Sequence, residues 1–235
     1  MTHETARFAI YFTPRKRSAL RNFGERWLGR DAASGAAVER LALAGVPQQR
    51  LAALVAEPAR YGWHATLKAP FRLAPGRSAG ELAAFLMAFA AQRLPFEAPP
   101  LALGSLRGFL ALLPRSQPPL LSGLAEDCVR AFEEFRAKPG RSASAAPELA
   151  ALTPAQEAMR KRWGYPYVMR EFRFHLTLTA RLDAGELAEL VESLAPLVAP
   201  YCRHAVPIDG VSLFVEPAPG EPFRELRRFP FEGAG

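Results

Sequence analysis

The sequence is short of the residues that most often announce a function. Only two of its 235 residues are cysteine, and Cys128 and Cys202 lie far apart with no C-x-x-C pair. That excludes a disulfide-stapled scaffold and leaves two buried free thiols in a reducing compartment as the expectation. No apolar run approaches the ~20 residues that a bilayer span needs. The longest candidate, Leu82 to Ala91, reads as a buried helix. The N-terminus lacks the charged region, apolar run and small-residue cleavage site of a signal peptide. A cytoplasmic chain with no membrane role is therefore expected. No basic run interleaved with aromatics and no nucleic-acid module stands out. Histidine is scarce, with four residues in the whole chain.

What is present is more telling. The chain is long enough for one large domain or two small lobes with a real core. Its formal net charge is +7 and its pI about 9.9, a balance that favours anionic ligands. Two of the four histidines head the same phrase, His64-Ala65-Thr66-Leu67 and His175-Leu176-Thr177-Leu178. Histidine is the side chain whose ordinary pKa lies in the physiological range, so it can give or take a proton. A threonine two residues on shares its face only in a β-strand, where alternate side chains point the same way. The run Phe172 to Thr179 alternates apolar and polar residues and predicts such a strand, with Arg173, His175, Thr177 and Thr179 on one face. Around the first copy, His64, Thr66 and Lys68 would share a face, and Pro70 would end the pairing. A lone histidine here would read as a hydrogen-bonded core residue. A matched pair points to two proton carriers and two hydroxyls around a phosphoester.

The duplication runs past the motif. Ser78-Ala79-Gly80-Glu81-Leu82-Ala83 and Asp183-Ala184-Gly185-Glu186-Leu187-Ala188 both read as capping boxes opening apolar helices, Glu81 to Arg93 and Glu186 to Val198. Each helix is followed by a Pro-bearing connection and an apolar strand, Leu106 to Leu112 and Val211 to Val215. Ser78 precedes Phe109 by the same 31 residues that separate Asp183 from Phe214. Such a repeat would set the motifs in equivalent positions, facing one cleft. Elsewhere, Arg7 to Phe12 predicts a strand, Ser18 caps a helix to about Leu28, and Leu51 to Ala56 predicts a short helix. Leu120 to Arg136 has helical spacing, and Thr153-Pro154-Ala155-Gln156 opens a helix ending at Gly164. The Ser/Ala/Pro/Gly-rich stretch from Lys138 to Leu152 reads as flexible, with a lid over the cleft as its functional alternative. Trp163, Tyr165, Tyr167, Tyr61 and Trp63 cluster near the motifs in sequence. Most would be packing, with one or two able to stack on a base or sugar.

The paired H-x-T-L phrases resemble the 2H phosphoesterase superfamily, named for two such motifs. Within it, Tyr61-Gly62-Trp63-His64-Ala65-Thr66-Leu67-Lys68-Ala69-Pro70-Phe71 and Glu171-Phe172-Arg173-Phe174-His175-Leu176-Thr177-Leu178-Thr179 resemble a bacterial branch of unknown function (DUF1045-like), labelled a phosphonate metabolism protein. So do Trp163-Gly164-Tyr165-Pro166-Tyr167 and Phe214-Val215-Glu216-Pro217. The resemblance implies an α+β fold of two pseudo-symmetric lobes, each an antiparallel sheet packed with helices, with a cleft between. Residues 1–115 would form the lobe with His64 and Thr66, and residues 116–235 the lobe with His175 and Thr177.

The resemblance also implies phosphodiester chemistry with no metal and no cofactor. One histidine would take a proton from the attacking water and the other would protonate the leaving ribose oxygen. Which does which stays open, as does the direction, hydrolysis or ligation. Thr66 and Thr177 would hold the non-bridging oxygens. Lys68 and Arg173 are candidates to add positive charge or hold a second phosphate. Tyr11 or Tyr61 would orient the substrate, with core packing the plainer reading of each. The expected partner is a small cyclic ribose phosphate, such as carbon–phosphorus lyase chemistry produces. An RNA with a 2′,3′-cyclic end stays open as an alternative substrate. A metal hydrolase built on the same histidines lacks a carboxylate or Cys ligand set at metal-like spacing. A non-catalytic module binding cyclic nucleotides or RNA ends would not need two proton carriers. Oligomeric state is left open.

Overall fold

Polar caps start four of the helices. In a computed structural model, which describes residues 5–138 and 152–233, Ser18 caps α1 (Ala19–Leu28) and Ser78 caps α3 (Ala79–Ala91). Thr153 caps α5 (Pro154–Trp163) and Asp183 caps α6 (Ala184–Val198). The last three carry complete capping boxes, so the first-turn N–H groups are satisfied from within each helix end. Between them, α2 spans Gln48–Tyr61, well beyond the short helix expected there, and α4 spans Pro119–Ala131. The stretch expected to be a lid lies, for residues 139–151, outside the described residues.

The strands form two main antiparallel sheets. The first has the order β2-β1-β8-β9, built from β2 (Ala65–Phe71), β1 (Arg7–Phe12), β8 (Gly210–Glu216) and β9 (Arg224–Pro230). The second has the order β4-β5-β6, from β4 (Leu101–Leu106), β5 (Phe109–Pro114) and the two-residue β6 (Leu176–Thr177). A short pair, β3 (Phe96–Ala98) with β7 (Val206–Ile208), joins the two halves of the chain between them. Helix α3, which follows the first motif, packs on β8 and β9; α6, which follows the second, packs on β4 and β5. Each motif strand is thus the edge strand of a sheet backed by the helix that follows it. This is the α+β, two-lobed plan expected, with its pseudo-symmetry intact.

The division of the chain between lobes is different from the one expected. A boundary at 115/116 cuts across both sheets, because β8 and β9 return to pair beside β1, and β6 pairs with β5. Each half lends strands to the other's sheet. The offset-matched phenylalanines show the exchange directly. Phe109, from the first half, lies 5.5 Å from the ring of His175, and Phe214, from the second, lies 6.4 Å from that of His64.

Two strands also depart from their sequence reading. The apolar run from Leu106 to Leu112 is not one strand but the end of β4, a two-residue turn at Arg107-Gly108 and the start of β5. Both turn residues have positive φ, 49° and 86°, the signature of the tight hairpin turn whose twist matches that of paired strands. Around the second motif only Leu176 and Thr177 pair as a strand. The chain enters from a 3₁₀ turn (Met169–Glu171), and Thr179 leaves the shared face to accept the Leu110 N–H at 3.0 Å. Of the cysteines, Cys128 is buried and Cys202 half-buried, both free thiols.

The first lobe's core reaches the motif through Trp63, which is 2% exposed and meets Phe23 edge-on at 5.8 Å. Its ring lies against the bare backbone of Gly24 in α1, where an added Cβ would stand 2.0 Å from the indole. Gly24→Ala is expected to destabilise the fold by about 1–3 kcal/mol, since a packed core cannot absorb that overlap without shifting. Thermal unfolding measures it, and an unchanged Tm would show that Trp63 has room to move.

Candidate active site

The first histidine owes its orientation to a glycine two residues upstream. Gly62 has φ of 80°, a conformation open to glycine, and a Cβ there would also come within 2.7 Å of the Ala32 side chain. Its carbonyl accepts a hydrogen bond from His64 Nδ1 at 2.8 Å. The second histidine repeats the contact, with His175 Nδ1 bonded to the Arg173 carbonyl at 2.7 Å. A carbonyl can only accept, so in both rings Nδ1 carries the hydrogen and, in the neutral ring, Nε2 is left bare. His64 Nε2 lies 3.2 Å from the Thr66 hydroxyl, which donates to it. Tyr11, 1% exposed, stacks on the His64 ring with centroids 3.8 Å apart.

Burial dominates the electrostatics of both rings. It pushes His64 down to about 4, a nearby charge on His175 pushes the same way, and the Gly62 carbonyl pulls back. His175 is also lowered, first by burial and then by the charge of Arg107, against the pull of the Arg173 carbonyl. At neutral pH the empty site therefore holds two uncharged imidazoles.

Other side chains bear on these rings. The charge of Arg107 acts on His175 and that of His175 on His64. His64 stacks on Tyr11, whose hydroxyl is also biased by Tyr61. Tyr61 and Arg107 both act on Tyr165. Burial lifts the Tyr165 hydroxyl to about 12, with Arg107 opposing it. Both tyrosines expected near the substrate lie against the His64 ring. Tyr61 is half-buried, stacked on Phe223 at 5.1 Å and 6.2 Å from His64. Beneath Tyr61, the fully buried Glu216 takes ion pairs from Arg7 and Arg60. Burial pushes its carboxyl up, but the bonds from the two arginines outweigh that and hold it below the usual range.

Two expected residues are placed elsewhere. Lys68 does not share the face of His64 and Thr66. Thr66 pairs with Tyr11, but the next partner, Ile10, faces Lys68 rather than Leu67, so a bulge inserts one residue and reverses the alternation. Lys68 turns into the protein, 3% exposed, where Nζ donates to the Val129 carbonyl at 2.9 Å and to Glu133 at 3.1 Å. Burial lowers its pKa against the pull of Glu133. Arg173 is exposed and folds back on its own backbone, donating to the carbonyls of Arg170 at 2.9 Å and Phe172 at 2.7 Å. Thr177 lies in β6, paired with Ala111 of β5. Among the described residues no three His, Cys, Asp or Glu side chains gather as a ligand set for a metal ion, and no helix is long and apolar enough to cross a membrane. Sequence reasoning missed Arg107 as a site residue, and it named Tyr165 only as one of several aromatics. The turn signal of Arg107-Gly108 was the available clue.

The fold and site together define a two-lobed α+β protein with a duplicated histidine–threonine pair. A family model described as "Protein of unknown function (DUF1045)" matches residues 66–224, and the chain belongs to this family. Two proteins named "Ribose 1,5-bisphosphate phosphokinase PhnN" are similar to it. One, from Janthinobacterium sp. (strain Marseille), is 36% identical over 234 residues, covering 97% of this chain and 51% of that protein. The other, from Laribacter hongkongensis (strain HLHK9), is 37% identical over 223 residues, covering 94% and 51%. The chain therefore spans about half the length of these curated relatives. Among solved structures, E. coli LigT in its apo form aligns with a TM-score of 0.43 at 15% identity, covering 97% of this chain and 98% of that one. A structure described as a phosphoesterase aligns with a TM-score of 0.39 at 12% identity, covering 96% and 98%.

The protonation state is testable. His64 folds with a pKa near 4 against an ordinary 6.5, so the unfolded chain binds more protons between those values. Stability then rises with pH across that window and is lost as pH falls through it. His175 acts in the same direction. Tm is expected to fall from pH 6.5 towards 4.5, and to fall less in His64→Asn. Nitrogen chemical shifts should show both rings neutral at pH 6.5 with the hydrogen on Nδ1; a protonated His64 there contradicts the reading. Lys68→Met should leave KM for any turned-over substrate within about twofold, because the side chain lies outside the site, as replacing one buried polar side chain by an apolar one of similar length acts through packing.

Proposed function

We propose that this chain is a phosphodiesterase that hydrolyses a small cyclic phosphodiester on ribose by two-histidine acid–base catalysis, without a metal ion. The observation that carries the reading is the pair of imidazoles held in the same tautomer, with the charge of His175 acting on His64. In each neutral ring Nε2 is the bare nitrogen, the atom able to exchange a proton, and in our reading the two face a shared space.

The chemistry follows from those atoms. A phosphodiester anion settling between the rings favours the charged form of each and so offsets their burial. One ring stays neutral and its Nε2 accepts a proton from the attacking water. The water oxygen bonds to phosphorus, and the ester bond to ribose breaks with its electron pair on the ribose oxygen. The second ring, as imidazolium, gives its Nε2 proton to that oxygen. The product is a ribose phosphate monoester. Thr66 and Thr177 donate to the non-bridging oxygens, whose charge must be held in the transition state.

The substrate class rests on the motif resemblance and on the relatives. Their printed name refers to ribose 1,5-bisphosphate, a sugar phosphorylated at two positions. The loop G-x-x-x-x-G-K-[ST], which cradles nucleotide phosphates in P-loop kinases, occurs nowhere in this sequence. We therefore take the sugar, and not the kinase activity, from that name. The 1,2-cyclic ester of ribose 5-phosphate is the substrate we favour.

The experiment is a turnover screen. The cyclic ribose ester, a 2′,3′-cyclic nucleotide and an oligoribonucleotide with a cyclic end are compared by kcat/KM, with and without EDTA. The small ester is expected to be preferred, with a bell-shaped pH profile and no effect of the chelator. His64→Ala and His175→Ala should each lower kcat by about 10²–10⁴-fold with the fold intact. Preference for the oligonucleotide, with a steep loss of affinity as salt rises, would mean that several backbone phosphates are gripped and would sink the small-substrate reading. Activity lost in EDTA and restored by zinc would overturn the metal-free mechanism.

A further inference from the structure

Arg107 sits where its backbone is least at ease. It occupies the first position of the two-residue turn between β4 and β5, at φ 49°. Glycine and asparagine suit that position; a long branched-headgroup side chain such as arginine does not. The turn is tied down by its neighbour, since the Leu182 N–H donates to the Gly108 carbonyl at 2.8 Å. The tip is therefore a fixed mount, and it carries a cation.

That cation has no counter-charge. Among the described residues Arg107 takes part in no ion pair, whereas Arg7, Arg21, Arg60, Arg136 and Arg228 are all spoken for by carboxylates. Its guanidinium instead lies 3.4 Å from the centroid of the Tyr167 ring, and Tyr167 meets Tyr165 edge-on at 5.5 Å. Stacking flattens the guanidinium on one aromatic face and leaves its N–H edge free for an oxyanion. The mount lies beside the reacting groups. Two residues on, Phe109 lies 5.5 Å from the His175 ring, and further along the same strand Ala111 pairs with Thr177.

We infer that Arg107 is the specificity-determining residue of this site, binding a second, terminal phosphate on the substrate while the histidines and threonines hold the cyclic one. This rests on the cyclic-phosphodiesterase reading above and names the feature of the substrate that it selects. Lys68 and Arg173, the residues whose charge pattern suggested this role in the sequence, are turned away from the site or onto their own backbone. Arg107, which has no ion pair among the described residues, is a cation that the fold sets near His175 in their place. A monophosphate is the ligand chemistry this geometry suits, since a planar guanidinium edge matches two phosphate oxygens at once. Arg107 touches the substrate's distal end and takes no part in the proton transfers.

The test compares ribose 1,2-cyclic phosphate with and without a 5-phosphate, in the wild type and in Arg107→Asn. Asparagine tolerates the turn, so Tm should be no lower than in the wild type. KM for the 5-phosphorylated ester is expected to rise by about 10–100-fold, the worth of a charged hydrogen-bonded contact. The loss should be specific to the 5-phosphate, with kcat/KM falling far more for the phosphorylated ester than for the unphosphorylated one. Arg107→Lys should restore only part of the loss, because it keeps charge without the planar edge. An equal rise in KM for both esters, or a fall in kcat for both, overturns the assignment. A second arm needs no turnover: ribose 5-phosphate and ribose are titrated against both proteins by calorimetry. The wild type should bind the phosphorylated sugar more tightly, and Arg107→Asn should erase the difference. If that difference appears while neither ester is hydrolysed, the hydrolase reading fails and the phosphate contact stands. If it does not appear, the phosphate contact fails whatever the turnover shows.

Discussion

A backbone carbonyl facing Nδ1 limits what an imidazole can do. The bonds from His64 to Gly62 and from His175 to Arg173 each fix the tautomer and the ring orientation together. The rest of the site depends on them. Tyr11 can stack on His64 only while the ring is held in its plane, and Thr66 can donate to Nε2 only while that nitrogen is bare. The carbonyls also work against burial, which alone would drive both rings further from the charged form. The balance leaves two neutral rings that an anion can recharge. Orientation by an outer hydrogen bond is common wherever histidine must present one nitrogen. Here the same i−2 carbonyl supplies it twice, which is what a duplicated strand entering two equivalent positions would produce.

The strand exchange gives the site its composition. Had each half folded on itself, both motifs would sit beside strands of their own half. Instead β1 carries Tyr11 to His64 from one side while β8 brings Phe214 from the other end of the chain, and β5 brings Phe109 to His175. The Glu216 carboxylate on β8 then anchors Arg7 from β1 and Arg60 from α2, fastening the wall that ends in Tyr61. The contacts of Phe214, Phe109 and Glu216 all cross between the halves of the sequence, while Tyr11 and His64 share one.

Much of this was legible from local chemistry, and the failures share a cause. The capped helices α1, α3, α5 and α6 start where Ser18, Ser78, Thr153 and Asp183 stand, because a cap is settled within four residues. Strand β1 runs over Arg7–Phe12 as alternation required. Each motif lies on the edge strand of its sheet, backed by the helix that follows it, as the repeat required. Lys68 was misplaced because a bulge is decided by the partner strand, here at Ile10, and leaves no trace in the alternation around the lysine. Arg107 was missed because it was read inside a strand, and its turn residue is one that turns rarely choose. The lobes were misdivided because sequence repeats reveal equivalence between segments but not which copy pairs with which.

The pairing of β1 with β8 carries a cost in time. Arg7 and Glu216 lie 209 residues apart in the chain, so the sheet that holds His64 has a wide loop closure to overcome. Closure entropy grows only slowly with loop length, but the search for so distant a partner slows folding more than it weakens the product. During synthesis β1 waits with the edge that meets β8 unpaired until residues 210–216 have been made, although its other edge can already pair with β2. Its run of Phe8, Ile10 and Phe12 is the kind of exposed apolar strand that invites wrong partners in the interval. Helices α1 and α2, which lie between β1 and β2 in sequence, can form meanwhile and pack against each other. The sheet that carries the first motif is in this sense the last to be completed.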